Sequence, residues 1–138
     1  MKASVRWMKN VAFKGVSETG HEIMMDGPAS HGGENKGMRP MELLLLGMGG
    51  CSAFDVISIL SKARQQVEDC VVDIQAERAD TEPKVFVAIH AHFIVTGKDL
   101  SEAKVARAIE LSAEKYCSAS IMLAKTAKIT HDYKIIES

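Results

Sequence analysis

Cysteine is the residue type in this chain with the widest chemistry, and its 138 residues hold three: Cys51, Cys70 and Cys117. A thiolate is a nucleophile and a metal ligand, and two positioned thiols can cycle between dithiol and disulfide. Their settings differ. Cys70 follows Asp69 and precedes Val71-Val72 at a predicted helix-to-strand junction, and reads as a small packing residue. Cys51 follows Gly47, Gly49 and Gly50 on a predicted helix. Each helix-interior glycine costs about 0.5–1 kcal/mol relative to alanine, so the cluster implies a close approach there. The approaching group is a ligand, another backbone or a tightly packed sheet; the residues alone leave these open.

Cys117 precedes Ser118-Ala119-Ser120 at a predicted helix start. Free backbone N–H groups there favour a thiolate, as does Lys115 if it turns inward. A small apolar residue covering a helix end fits the same pattern. Asp55 falls one turn after Cys51 on nearly the same face. A carboxylate there raises a thiol pKa unless a cation, such as Arg39, pairs with it.

Other constellations are thinner. His90 and His92 share one face of a predicted strand, but no third ligand is evident, and they read as solvated strand residues. His31 and Glu34 form a weaker pair still. Gly47-Met48-Gly49-Gly50 lacks the Lys-Ser/Thr ending of a phosphate loop and lies inside a helix. No cofactor and no metal are expected.

The elements that position these residues follow from periodicity. Ala3, Val5 and Trp7 alternate with Ser4 and Arg6, which predicts a strand. Further strands are expected near 11–14 and over 21–26. Gly27 to Arg39 is a loop rich in glycine, and long loops in small domains often carry function. Pro40 suits the first turn of a helix running to about Gln65, apolar on nearly every side in its first half and so expected to be wrapped by other structure. Strands flank Asp80–Lys84 between 71 and 96 as a hairpin. Asp99 with Glu102 resembles a capping box opening a helix to about Tyr116. A shorter helix begins near Cys117 or Ser118, and a strand closes the chain around 129–136. The order βββ-α-ββ-α-α-β predicts one α+β domain over 1–138.

Composition sets bounds. A formal charge of -1 gives no balance suited to polyanions, so no nucleic acid partner is expected. Glu42 and Asp55 interrupt the apolar segment around 41–60, which argues for a core helix and against a membrane span. The N-terminus shows no secretory h-region, and three cysteines then point to a reducing cytoplasm.

Three stretches carry a family resemblance. Pro40-Met41-Glu42-Leu43-Leu44 with the small-residue run into Cys51, and Tyr116-Cys117-Ser118-Ala119-Ser120, look like the two signature regions of the OsmC/Ohr family. Residues 40–56, 93–97 and 111–118 further resemble its YhfA-like branch. The resemblance implies an OsmC-like fold with a long buried central helix in an intertwined homodimer. It implies a thiol peroxidase in an oxidative-stress response: Cys51 attacks organic or hydrogen peroxide, Cys117 resolves the sulfenic acid, and a dithiol such as a dihydrolipoyl protein reduces the disulfide.

Peroxidase members of the family activate the thiol with an arginine held by a glutamate just after the helix proline. Here Met41 stands at that glutamate position. Glu42 is next to it and Arg39 is the one arginine of the preceding loop, so these two are the candidate activating pair. Glu42, nine positions before Cys51, is about 180° around an ideal helix from it, and holding the loop or meeting the partner chain is its other reading. The alternative function is a non-catalytic redox-sensing or small-molecule-binding module.

Overall fold

The computed structural model describes residues 1–138. It is an α+β protein with two three-stranded sheets and three α-helices in the expected order. Two compact units divide the chain, Met1–Leu44 and Leu45–Ser138.

The first unit is an antiparallel meander of β1 (Ala3–Lys9), β2 (Ala12–Ser17) and β3 (Glu22–Met25). Asn10, with φ 52°, makes the first turn, and Gly20, with φ 88°, the second; both need the left-handed region that Asn and Gly tolerate. The loop after β3 is tied by one side chain. The Asp26 carboxylate, buried at 4% exposure, accepts from the backbone N–H groups of Gly27 (2.7 Å), Glu34 (3.1 Å) and Lys36 (3.1 Å). These donors hold its carboxyl below the ordinary aspartate range, Lys36 contributing most. Gly37 packs against the Met24–Met25 backbone, where a Cβ would lie 2.5 Å from the Met24 carbonyl oxygen.

Helix α1 (Pro40–Lys62) begins in the first unit and continues as the first element of the second. Met48, Ser52, Val56 and Leu60, four residues apart, form its buried stripe. Leu44, Leu46, Phe54 and Ile57 are exposed, Phe54 at 74%, so the chain by itself does not wrap this helix. By length and composition α1 is apolar enough to cross a membrane, a test that core helices also pass. It stops three residues earlier than expected. Arg64 adopts φ 59°, Arg64 N–H donates to Ser61 O (2.9 Å) and Gln65 N–H to Leu60 O (2.9 Å), a Schellman ending without the usual glycine.

The remainder of the second unit is β4 (Gln66–Arg78), β5 (Phe86–Lys98), α2 (Glu102–Leu111), a π-turn (Ser112–Tyr116), α3 (Ser118–Leu123) and β6 (Lys128–Glu137). β4 and β5 form the antiparallel hairpin, and β6 returns through the helices to pair parallel with β5. Ile89, Ala91, Phe93 and Val95 of β5 supply the buried sheet face, with Val105, Ala108 and Ile109 of α2 also buried. The helix cap differs from expectation. Ser101, not Asp99, is the N-cap, its side chain accepting from Lys104 N–H, because Asp99 sits at φ 49° with its N–H held by the Glu137 carboxylate. The early start of β4 places Cys70 within a strand, opposite Val95, instead of at a junction. Burial first, and then the Asp69 charge, push its thiol up, as suits an inert cysteine.

Candidate functional site

Cys117 is placed by an irregularity in the helical segment. Beyond Leu111 the backbone widens into the π-turn, and Cys117 N–H donates to Ser112 O five residues back at 2.8 Å. Cys117 then turns to extended geometry (φ -74°, ψ 100°) and acts as the N-cap of α3. Its sulfur stands where a serine oxygen ordinarily would, accepting from Ser120 N–H at 3.4 Å. Two hydroxyls add to this: Ser120 Oγ at 3.1 Å and Ser52 Oγ, from the buried stripe of α1, at 3.2 Å.

The two hydroxyls also lie 3.3 Å from each other. Each has one hydrogen, so when both donate to sulfur neither donates to the other. That arrangement suits a thiolate, which only accepts. A protonated Cys117 can instead turn its S–H toward Met48 O, 3.8 Å away. Burial opposes a charge on this fully buried residue, but the donors from Ser120 and Ser52 outweigh it and hold the thiol below its ordinary range.

Cys51 lies one position before Ser52 on α1 and is partly exposed. Its Sγ, the Cys117 Sγ and an Asp55 carboxylate oxygen all lie within 4.8 Å of one another. The Ala119 backbone N–H facing Cys51 draws its pKa down. Burial and the neighbouring Cys117 sulfur outweigh that donor, and the Cys51 thiol is raised. Two sulfurs this close do not readily ionise together, and the donor set favours the charge on Cys117 over Cys51. Asp55 receives a hydrogen bond from the buried Ser112 hydroxyl at 3.0 Å. Two sulfurs and a carboxylate also match the donor types a zinc ion takes.

The structure brings Cys51, Cys117 and Asp55 together. Arg39 and Glu42 make their hydrogen bonds within the first unit. Glu42 Oε1 accepts from the Arg39 backbone N–H (2.7 Å), the return half of a capping box at the start of α1. The Arg39 guanidinium donates to the carbonyls of Asp26 (3.4 Å) and Gly37 (3.3 Å). Lys115 does not turn inward: it is exposed, its Nζ 5.3 Å from the centroid of the Tyr116 ring. The glycine cluster resolves into separate roles. A Cβ on Gly49 would lie 2.8 Å from Ile74 Cδ1, so this glycine admits the sheet, whereas Gly47 and Gly50 face open space. Sequence reasoning missed Ser52, Ser112 and Ser120. The signal was present in their positions, adjacent to Cys51, at the end of α2 and three residues after a predicted cap.

A family model described as OsmC-like protein matches residues 33–132. The chain belongs to the OsmC family. It is 50% identical over 136 residues to Protein YhfA of Escherichia coli (strain K12), covering 99% of this chain and 98% of the relative. A solved protein from Aquifex aeolicus VF5 is 32% identical with TM-score 0.81, covering 97% of this chain and 96% of that one. The fold alone is shared with an organic hydroperoxide resistance protein OsmC of Legionella pneumophila. That protein is 17% identical with TM-score 0.74, covering 96% of this chain and 95% of its own.

Proposed function

We propose that this OsmC-family chain is a cofactor-free, two-cysteine peroxide reductase. The observation that carries the reading is the approach of Cys51 and Cys117 sulfurs to within 4.8 Å, one partly exposed and one fully buried. The partly exposed Cys51 meets the hydroperoxide. Its proton passes to the Cys117 sulfur beside it, and the Cys51 thiolate so formed attacks the O–O bond and takes one oxygen as sulfenic acid. The alkoxide released takes that proton from Cys117 and leaves as the alcohol. The buried Cys117 thiolate then attacks the sulfenic sulfur, expelling hydroxide and forming the disulfide. A dithiol, such as a dihydrolipoyl protein, returns both sulfurs to the reduced state. The Legionella fold-mate's name, organic hydroperoxide resistance protein, supports an organic peroxide as substrate.

The exposed apolar side chains of α1, Leu46 and Phe54 among them, support a soluble homodimer in which a second copy covers the helix. Arg39 and Glu42 enter this reading as the posts that set the start of α1.

Consumption of cumene hydroperoxide with a dithiol, compared between the native chain, Cys51→Ser and Cys117→Ser, tests the proposal. Cys51→Ser is expected to abolish turnover, and Cys117→Ser to stop after one equivalent with a sulfenic acid on Cys51. Equal rates in native and Cys51→Ser protein remove Cys51 from the mechanism. A second reading, a redox sensor oxidised stoichiometrically without turnover, is favoured by the raised Cys51 thiol and the Asp55 carboxylate beside it. Oxidation that ends at one equivalent in the native chain, with dithiol present, selects that reading.

A further inference from the structure

The histidines of β5 acquire from the fold the partner that their own strand lacks. His90 and His92 alternate with the buried Ile89, Ala91 and Phe93, so both imidazoles stand on the outer face of the second sheet. β6 runs parallel beside them, with Asp132 in register with His92 and Thr130 in register with His90. One carboxylate oxygen, Asp132 Oδ1, lies 2.9 Å from His90 Nε2 and 2.7 Å from His92 Nδ1. Two imidazole nitrogens therefore already share one carboxylate oxygen, and the three groups stand together on one side of the sheet. They are reachable from solvent, with side-chain exposures of 41%, 33% and 61%.

We propose that His90, His92 and Asp132 bind a divalent transition-metal cation of the zinc type. Two imidazoles and a carboxylate suit zinc and its neighbours, and ligands from one face of a sheet leave the opposite side of the ion to water. Residues i and i+2 of a strand are about 6.6–6.8 Å apart along the chain and project to the same side, while the adjacent strand is about 4.8 Å away. These spacings put the three side chains within reach of one ion once the side chains rotate toward it. Thr130 supplies the supporting contact, its Oγ1 lying 2.7 Å from His90 Nδ1. A hydroxyl both donates and accepts, so when Nε2 gives up its proton to bind metal, Nδ1 carries one and donates to Thr130. Asp73 of β4 is in register with His92 on its other side and adds negative charge to the same face.

The site is separate from the cysteine pair, and its test reads the imidazoles themselves. Zn²⁺ alone is titrated into the native full-length chain while the ring nitrogen signals of all five histidines are followed by NMR. His90 and His92 are expected to shift together on one saturating curve, with His21, His31 and His131 unmoved. Asp132→Asn, at an exposed position, is expected to retain the fold and to weaken the response about tenfold or more. Zinc taken up by the thiols alone would leave both ring signals in place, and that result overturns the proposal. So does an Asp132→Asn chain that binds as tightly as the native one.

Discussion

Replacing Ser52 by alanine removes one donor from the Cys117 sulfur and little else. The hydroxyl sits 3.2 Å from Sγ, inside a buried stripe that keeps its Cβ, so no sizeable cavity opens. A hydrogen bond to a charged group contributes about 1.5–3 kcal/mol, and a sulfur acceptor at this distance belongs at the low end. Losing about 1.5 kcal/mol reduces the thiolate fraction of Cys117 roughly tenfold at a fixed pH below its midpoint. The measurement is thiolate ultraviolet absorbance against pH in a chain carrying Cys51→Ser and Cys70→Ser, with and without Ser52→Ala. The functional consequence differs between half-reactions. An incoming dithiol attacks the accessible Cys51 sulfur of the disulfide and expels Cys117, whose departure slows when its thiolate loses a donor. Peroxide oxidation of Cys51 is expected to change less than disulfide reduction. An unchanged thiolate titration in Ser52→Ala would refute the reasoning, because it would mean that the hydroxyl hydrogen is spent on Ser120 Oγ, 3.3 Å away.

Three further outcomes follow from the geometry. Asp55→Asn removes a negative charge within 4.8 Å of both sulfurs, where an effective dielectric of about 20 puts the repulsion with a thiolate at about 3.5 kcal/mol at the far end of that range; alkylation of Cys51 by iodoacetamide at neutral pH should accelerate, and an equal or slower rate would show that the carboxylate does not act on the thiol. Asp26 has its carboxyl lowered from 3.8 by the loop N–H groups, so its stabilisation is complete above that value and lost as pH falls through the lower folded value; Asp26→Asn should flatten the acid limb of the unfolding profile, and coincident limbs would refute the assignment. Gly37→Ala places a Cβ against the Met24–Met25 backbone and should destabilise by about 1–3 kcal/mol in urea titration; an unchanged midpoint would show that the loop gives way.

Local pattern carried much of the architecture. The alternation of β5 and the Pro40 start of α1 were legible because one-sided burial leaves a period in the residues themselves. Boundaries set by backbone geometry were harder to read. Arg64 ends α1 in a left-handed conformation that glycine usually supplies, and Asp99 gives up the cap because the Glu137 carboxylate, from the far end of the chain, holds its N–H.

The sequence by itself determined which residues have reactive chemistry: two cysteines in OsmC-like settings, a third between Asp69 and Val71-Val72, and two histidines on one strand face. Only the tertiary structure decided how that chemistry is distributed. Ser52 and Ser120 meet at one sulfur because α1 and the start of α3 pack together, which favours the charge on Cys117 and leaves Cys51 the more protonated thiol. Asp132 reaches His90 and His92 because β6 returns parallel to β5, about forty residues later in the chain. Hydrogen bonds and ion sites act over a few ångströms, and no periodicity along the chain records which distant residues will come within that range.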